Sequence, residues 1–248
     1  ALNKITDVPG VQVGHATVDT EDHKTGVTVI LPCEDNPFVN KLTAAAYVHN
    51  GFGKTTGTLQ IVELGTLETP IALTNTLNVG LVQDALVDYM ITKCRAEKVQ
   101  VSTVNAVVGE CNDGFLNRIR ERAVGKEEVY QAIQSASRDF EEGDVGAGKG
   151  TSCFGMKGGI GSASRILELD GKEFVIGALV QSNFGSTENF MLNGRMLGRE
   201  LDARIREKQK DEGSIMMVIG TDLPVSDRQL YRILRRAGVG LSRCGSFM

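Results

Sequence analysis

Two stretches of the chain place polar side chains at the ends of strongly apolar, strand-like runs, where sites often form. In Gln181-Ser-Asn183-Phe-Gly185 the amide N–H groups of Asn183 could stabilise an oxyanion. An ordinary turn asparagine would look the same. In Val107-Val-Gly-Glu110-Cys-Asn112-Asp113-Gly114 three polar side chains precede a glycine turn, and on composition alone a plain Asx-type turn accounts for them. Cys153 could act as a nucleophile, yet no histidine or acid stands at a spacing that would activate it, so the residues favour a buried thiol. His15, His23 and His49 show no metal-ligand or triad spacing and read as structural.

Glycine-rich segments raise the question of phosphate binding, because bare backbone N–H groups at a helix start can cradle it. Gly143-Asp-Val-Gly-Ala-Gly148-Lys149 matches most of a P-loop, but Gly150 stands where a hydroxyl must reach magnesium. Gly51-Phe-Gly53-Lys-Thr-Thr-Gly57 spaces its third glycine one residue too far for a dinucleotide fingerprint and reads as a turn. Thr151-Ser-Cys-Phe-Gly-Met-Lys-Gly-Gly-Ile-Gly-Ser-Ala-Ser-Arg165 lets the backbone approach something closely, and a glycine-kinked strand pair explains it equally well.

The elements that must hold these residues are legible from periodicity. Strands are predicted at Val11 to Val13, Gly26 to Leu31, Ala44 to Val48, Pro70 to Thr76, Val101 to Gly109, Phe174 to Gln181 and Ile215 to Gly220. Helices are predicted at Val79 to Glu97 and Lys126 to Phe140. A third begins at Ser226, which with Gln229 forms a capping box; Leu230, Ile233, Leu234 and Ala237 give its stripe, and Gly238 suits its C-cap. Strands and helices mix throughout, without repeats or a linker-like shift, so residues 1–248 read as one α/β or α+β domain.

Composition narrows the function further. With 27 basic against 31 acidic residues, and Arg204, Arg206, Lys208 and Lys210 interleaved with Glu207, Asp211 and Glu212, nucleic acid is not expected as a partner. No apolar run is long enough for a membrane span and Ala1-Leu2-Asn3-Lys4 lacks the apolar stretch of a signal peptide, so a soluble protein is expected. Five scattered cysteines without a C-x-x-C pair fit a reducing cytoplasm and suggest no disulfide framework or zinc site.

Four collinear segments then carry a resemblance: Ile5-Thr-Asp-Val-Pro-Gly-Val-Gln-Val-Gly-His15, Glu68-Thr-Pro-Ile-Ala-Leu-Thr-Asn-Thr76, Phe154-Gly-Met-Lys-Gly-Gly-Ile-Gly161 and Gln181-Ser-Asn-Phe-Gly185. From Asn3 to Gly245 the chain resembles the L-aminopeptidase/D-esterases and β-peptidyl aminopeptidases. That likeness implies a four-layer αββα sandwich, layered like the N-terminal-nucleophile hydrolases but connected differently. It also implies a precursor that cuts itself before a serine, leaving an α chain of about this length and a smaller β chain.

By the same resemblance, the new N-terminal serine attacks an amide or ester and its own α-amine is the general base. An α-amine has an ordinary pKa near 8 and can take a hydroxyl proton at neutral pH without histidine. Asn183 takes the oxyanion role, Glu110 binds the free amine of the substrate, and Asn112 stands where some members carry a tyrosine that assists at the oxyanion. The family's Ser-Gly-Asp nucleophile segment does not follow Arg243-Cys-Gly-Ser246, so the nucleophilic serine is expected on the other chain, with Ser246 the alternative. The expectation is an aminopeptidase acting on short peptides, amides or esters, without metal or other cofactor, assembled as a homo-oligomer of αβ units. An acyltransferase of the ornithine-acetyltransferase type and a non-catalytic assembly protein on the same fold are the alternatives.

Overall fold

A computed structural model describes residues 1–202 and 213–247. The charged residues Arg204, Arg206, Glu207, Lys208, Lys210, Asp211 and Glu212, and Met248, lie outside the described residues.

Strands β1 (Gln12–Asp19) and β2 (Lys24–Leu31) form an antiparallel hairpin from Gln12 opposite Leu31 to Asp19 opposite Lys24. Its loop is closed by the Thr20 N–H donating to His23 O and the His23 N–H donating to Thr20 Oγ1. A short helix, α1 (Thr58–Leu64), is delimited by Gly57 and Gly65, both left-handed. Strand β3 (Ile71–Asn75), helix α2 (Val79–Ala96) and strand β4 (Val107–Cys111) make a crossover unit, which the parallel pairing of β3 with β4 requires. The first sheet therefore runs β1-β2-β3-β4.

Helix α3 (Lys126–Gln134) stops short of the predicted Phe140, because Val13 and Ser137 exchange backbone hydrogen bonds at 3.0 Å and pull the chain onto β1. Phe140 still reaches the core, from a loop. Two long strands, β5 (Gly159–Leu169) and β6 (Lys172–Asn183), form a hairpin with Leu169 opposite Lys172, and β7 (Ser214–Thr221) pairs with the other side of β6. The Thr151 to Arg165 stretch thus holds a two-residue ladder, Ser152–Cys153 against Met156–Lys157, followed by the start of β5. Helix α4 (Asp227–Arg243) has the expected Ser226/Gln229 capping box, but it runs past Gly238. The left-handed glycine beyond its end is Gly245.

Of two further predicted strands, Ala44 to Val48 does not form and Val101 to Gly109 is cut back at its start. Residues 44–48 are irregular beyond the ladder Leu42–Thr43 with Thr66–Leu67. Ahead of β4, the backbone N–H of Asn105 goes to the Glu68 carboxylate at 2.9 Å, so regular pairing starts at Val107.

Layering follows from which faces are apolar. Val82, Ala85 and Leu86 of α2 and Val129 and Ala132 of α3 pack with Val27, Val29, Ala72 and Val108 on one face of the first sheet. On its other face Val13, Ile30 and Leu73 meet Ile160 and Leu179, with Val175, Met216 and Val218 beside them. Because both faces are covered, every residue of β4 is buried. Leu241 of α4 joins Phe154 and Phe184, with Ile215 packed against them, and Ile215 alternates with the inward Met216. The end of α4 is therefore on the outer side of the second sheet, and among the described residues the order helix, sheet, sheet, helix is reached only at that end.

Candidate active site

The C-terminal ends of β4 and β6 and the start of β7 converge where the two sheets meet. Asn183 is the last residue of β6 and pairs with Ser214, the first of β7. Glu110 lies in β4 opposite Thr74, and Asn112 follows that strand directly. The Asn112 N–H donates to Ser214 Oγ at 3.3 Å, and Asn183 Nδ2 donates to the same oxygen at 3.1 Å. Gly109 and Cys111 face the second sheet, where a side chain at Gly109 would meet Met216 and the Cys111 thiol reaches Gln181 O, so by alternation Glu110 points to the side of Val108.

Glu110 is 6% exposed, and its two oxygens have separate donors. The Thr76 hydroxyl donates to Oε2, and the Lys54 backbone N–H donates to Oε1 at 3.1 Å. Thr76 is held in turn by the local fold, since Asn75 Oδ1 accepts from the Leu77 and Asn78 N–H groups at 3.1 Å and caps the turn Thr76–Asn78. The glycine-rich stretch 51–57 is a turn, as its spacing suggests. Its place against the carboxylate has no local signature.

The Gln181 to Gly185 motif divides its tasks by residue. Gln181 is fully buried and its Nε2 donates to Thr74 O at 3.2 Å and to Ala147 O at 2.9 Å, tying the two sheets together. Phe184 packs edge-on to Phe154 with ring centroids 5.2 Å apart. Gly185 has φ +86°, and a side chain there would meet the Phe154 ring at 2.4 Å. Between them, Asn183 Oδ1 accepts from the Ser152 N–H at 3.1 Å. The Ser152 segment is itself braced by Lys157, whose Nζ donates to the carbonyls of Gly148, Thr151 and Gly158 at 2.9–3.1 Å. Burial of that ammonium lowers the Lys157 pKa.

Asn112 makes the Asx turn that its surroundings suggest, with Oδ1 accepting from the Gly114 N–H at 2.9 Å. Anything its side chain donates must come from Nδ2. Asp113 is buried and accepts from Asn117 Nδ2 at 2.9 Å, and burial raises its pKa.

Of the two thiols nearest the seam, Cys111 is buried and Cys153 is partly buried. Burial pushes the Cys111 thiol up to about 12, and its Sγ donates to Gln181 O at 3.6 Å. Burial likewise raises the Cys153 thiol. Neither is an activated thiolate. Ser246 is fully buried, and its Oγ has no hydrogen-bond partner among the described residues. His15 lies between Thr28 Oγ1 and Glu141 O, each 2.9 Å away. The P-loop-like segment is a turn in which a side chain at Gly146, φ +51°, would meet Thr28 Oγ1 at 2.5 Å. Packing against β2 thus explains its glycine without a phosphate.

The class of protein follows from the fold together with its solved neighbours. At 33% identity and a TM-score of 0.91, covering 99% of this chain and 70% of the other, the chain is similar to the L-aminopeptidase D-Ala-esterase/amidase of Ochrobactrum anthropi. That enzyme is described as a prototype for the serine aminopeptidases and a new variant of the N-terminal-nucleophile hydrolase fold. The protein PH0078 of Pyrococcus horikoshii OT3 matches at 49% identity and a TM-score of 0.91, over 98% of this chain and 70% of that one. The β-peptidyl aminopeptidase of Sphingosinicella microcystinivorans is 36% identical over 269 residues, 99% of this chain and 67% of the relative. The sequence profile of peptidase family S58 matches residues 3–248, and the chain belongs to that family. It spans about two thirds of the length of the curated relatives it matches.

Proposed function

We propose that this chain is the α fragment of a serine aminopeptidase that removes N-terminal residues from short peptides, amides or esters. The observation that carries the reading is the seam itself: an amide donor, Asn183, and a buried carboxylate, Glu110, are each fixed by partners on other elements. In this mechanism the substrate ammonium pairs with Glu110, while the Thr76 hydroxyl and the Lys54 N–H keep the carboxylate aimed. A serine at the start of a second chain, cut from the same precursor, attacks the scissile carbonyl, and its α-amine takes the hydroxyl proton and returns it to the leaving group. Asn183 Nδ2 donates to the oxyanion as charge develops, and Asn112 Nδ2 is the candidate second donor. No cofactor enters these steps. Assembly into a homo-oligomer of αβ units and a cytoplasmic location belong to the same proposal; among the described residues no helix is long and apolar enough to cross a membrane.

The peptidase family membership and the aminopeptidase relatives do not favour acyl transfer or a non-catalytic role. Two measurements test the proposal. Native protein separated under denaturing conditions should yield a smaller band whose N-terminal sequence starts with serine; a single active polypeptide would overturn the two-chain mechanism. Glu110→Gln should lose chiefly kcat/KM on a free-amine substrate, because an ion pair made in ground and transition states alike acts there. Equal cleavage of the free-amine substrate and its N-acetylated analogue by the wild type would remove Glu110 from amine recognition.

A further inference from the structure

Ser214 sits at the centre of the seam, although it opens β7 with no motif around it. Its Oγ accepts from Asn183 Nδ2 at 3.1 Å and from the Asn112 backbone N–H at 3.3 Å. These donors come from different sheets, since Asn112 extends β4 and Asn183 ends β6.

We propose that Ser214 is a positioning residue that aims the Asn183 amide and sets its place relative to Glu110; the inference rests on the oxyanion role given to Asn183 above. A primary amide has two N–H donors and one carbonyl acceptor. The carbonyl of Asn183 is held by the Ser152 N–H at 3.1 Å, and one of the two N–H groups is held by Ser214 Oγ. With both ends fixed, the amide plane is fixed and the second N–H is left for an oxyanion. A flip of the amide would set Nδ2 against the Ser152 N–H, donor against donor, so the orientation is unique. By accepting from Asn112 as well, Ser214 ties the strand that carries Glu110 to the strand that carries the oxyanion donor. Its own hydroxyl needs no activation for this task, because it works as an acceptor.

The test uses the assembled enzyme and a free-amine substrate, with S214A, S214T, N183A and the S214A/N183A double variant. Losing one aligning hydrogen bond should lower kcat of S214A roughly three- to tenfold while KM changes less than about twofold. S214T keeps the acceptor and should restore most of that loss. If Ser214 acts through Asn183, the double variant should be no slower than N183A alone. A wild-type kcat in S214A, with or without a lower melting temperature, would overturn the inference, as would a double variant whose losses multiply. A wild-type kcat in N183A would instead overturn the oxyanion reading on which it rests.

Discussion

The two sheets of this molecule face each other, yet they are finished to different degrees. The first has α2 and α3 on one face and the second sheet on the other, and all five residues of β4 are buried. Of the second sheet, only the inner face is closed by Val13, Ile30 and Leu73. Its alternate residues Phe174, Ile176, Val180, Met217 and Ile219 point outward and are only partly buried, although they are apolar. Edge strands differ as well. Outside β4, Thr56 exchanges backbone hydrogen bonds with Val108, whereas β7 pairs with β6 alone among the described residues. The candidate site forms where the finished sheet meets the unfinished one. Strand ends supply the carboxylate and the amide there, and the edge strand beside them, β7, has one strand partner among the described residues.

If the first sheet is the closed core, removing bulk from its helix-facing side should cost most. Leu86 is fully buried, and Leu86→Ala should lower unfolding stability by about 3–5 kcal/mol through lost transfer energy and a residual cavity. Chemical denaturation checks this, and a loss under about 1 kcal/mol would mean that the layer is not close-packed.

At the seam, Asn183→Ala should cut kcat by about 10²–10³, which is about 2.7–4 kcal/mol of transition-state stabilisation, with the fold intact. Near-normal turnover of the soluble variant would move the oxyanion site away from β6.

The outer face of the second sheet offers a sharper version of the comparison. Ile219→Ser should make this chain more soluble when expressed alone, because it breaks a partly exposed apolar patch. In the assembled protein the same change should cost about 1–3 kcal/mol, as expected when a buried aliphatic side chain is lost. Unchanged stability there would show that nothing covers this face.

The smallest effect concerns how the N-terminal segment seats on the second sheet. Asp7 Oδ2 accepts from the Ser164 hydroxyl at 2.6 Å, and this bond, ahead of those from the Leu2 and Lys4 N–H groups, holds the Asp7 pKa at about 2 against an ordinary 3.8. A carboxylate whose pKa is depressed in the folded state stabilises that state above its unfolded pKa and loses this as pH falls through the folded one. The contribution should therefore be complete above about pH 5 and fade between about pH 4 and pH 2. Ser164→Ala should flatten that part of the stability profile, measured as melting temperature against pH; an unchanged profile would discount the contact.

What the amino-acid sequence determined by itself is local. A helix repeats every 3.6 residues and a strand every two, so the stripes of α2 and α4, the apolar run of β6 and the Ser226/Gln229 box are written in neighbouring residues. The polar strand ends Glu110 and Asn183 stood out for the same reason, and their roles came from the resemblance of four collinear segments. Helix α1 escaped because its short run, Thr58–Leu64, leaves Leu59 and Val62 exposed and shows no apolar stripe. Only the tertiary structure decided that Ala44 to Val48 and residues 101–106 form no strand, where Ser137 ends α3 by pairing with Val13, and that α4 continues past Gly238. It alone brought Thr76 and the Lys54 N–H to Glu110, and Ser214 to Asn112 across 102 residues of chain. Such hydrogen bonds are fixed by how two sheets pack, and the residues next to a serine or a lysine in the chain carry no trace of that packing.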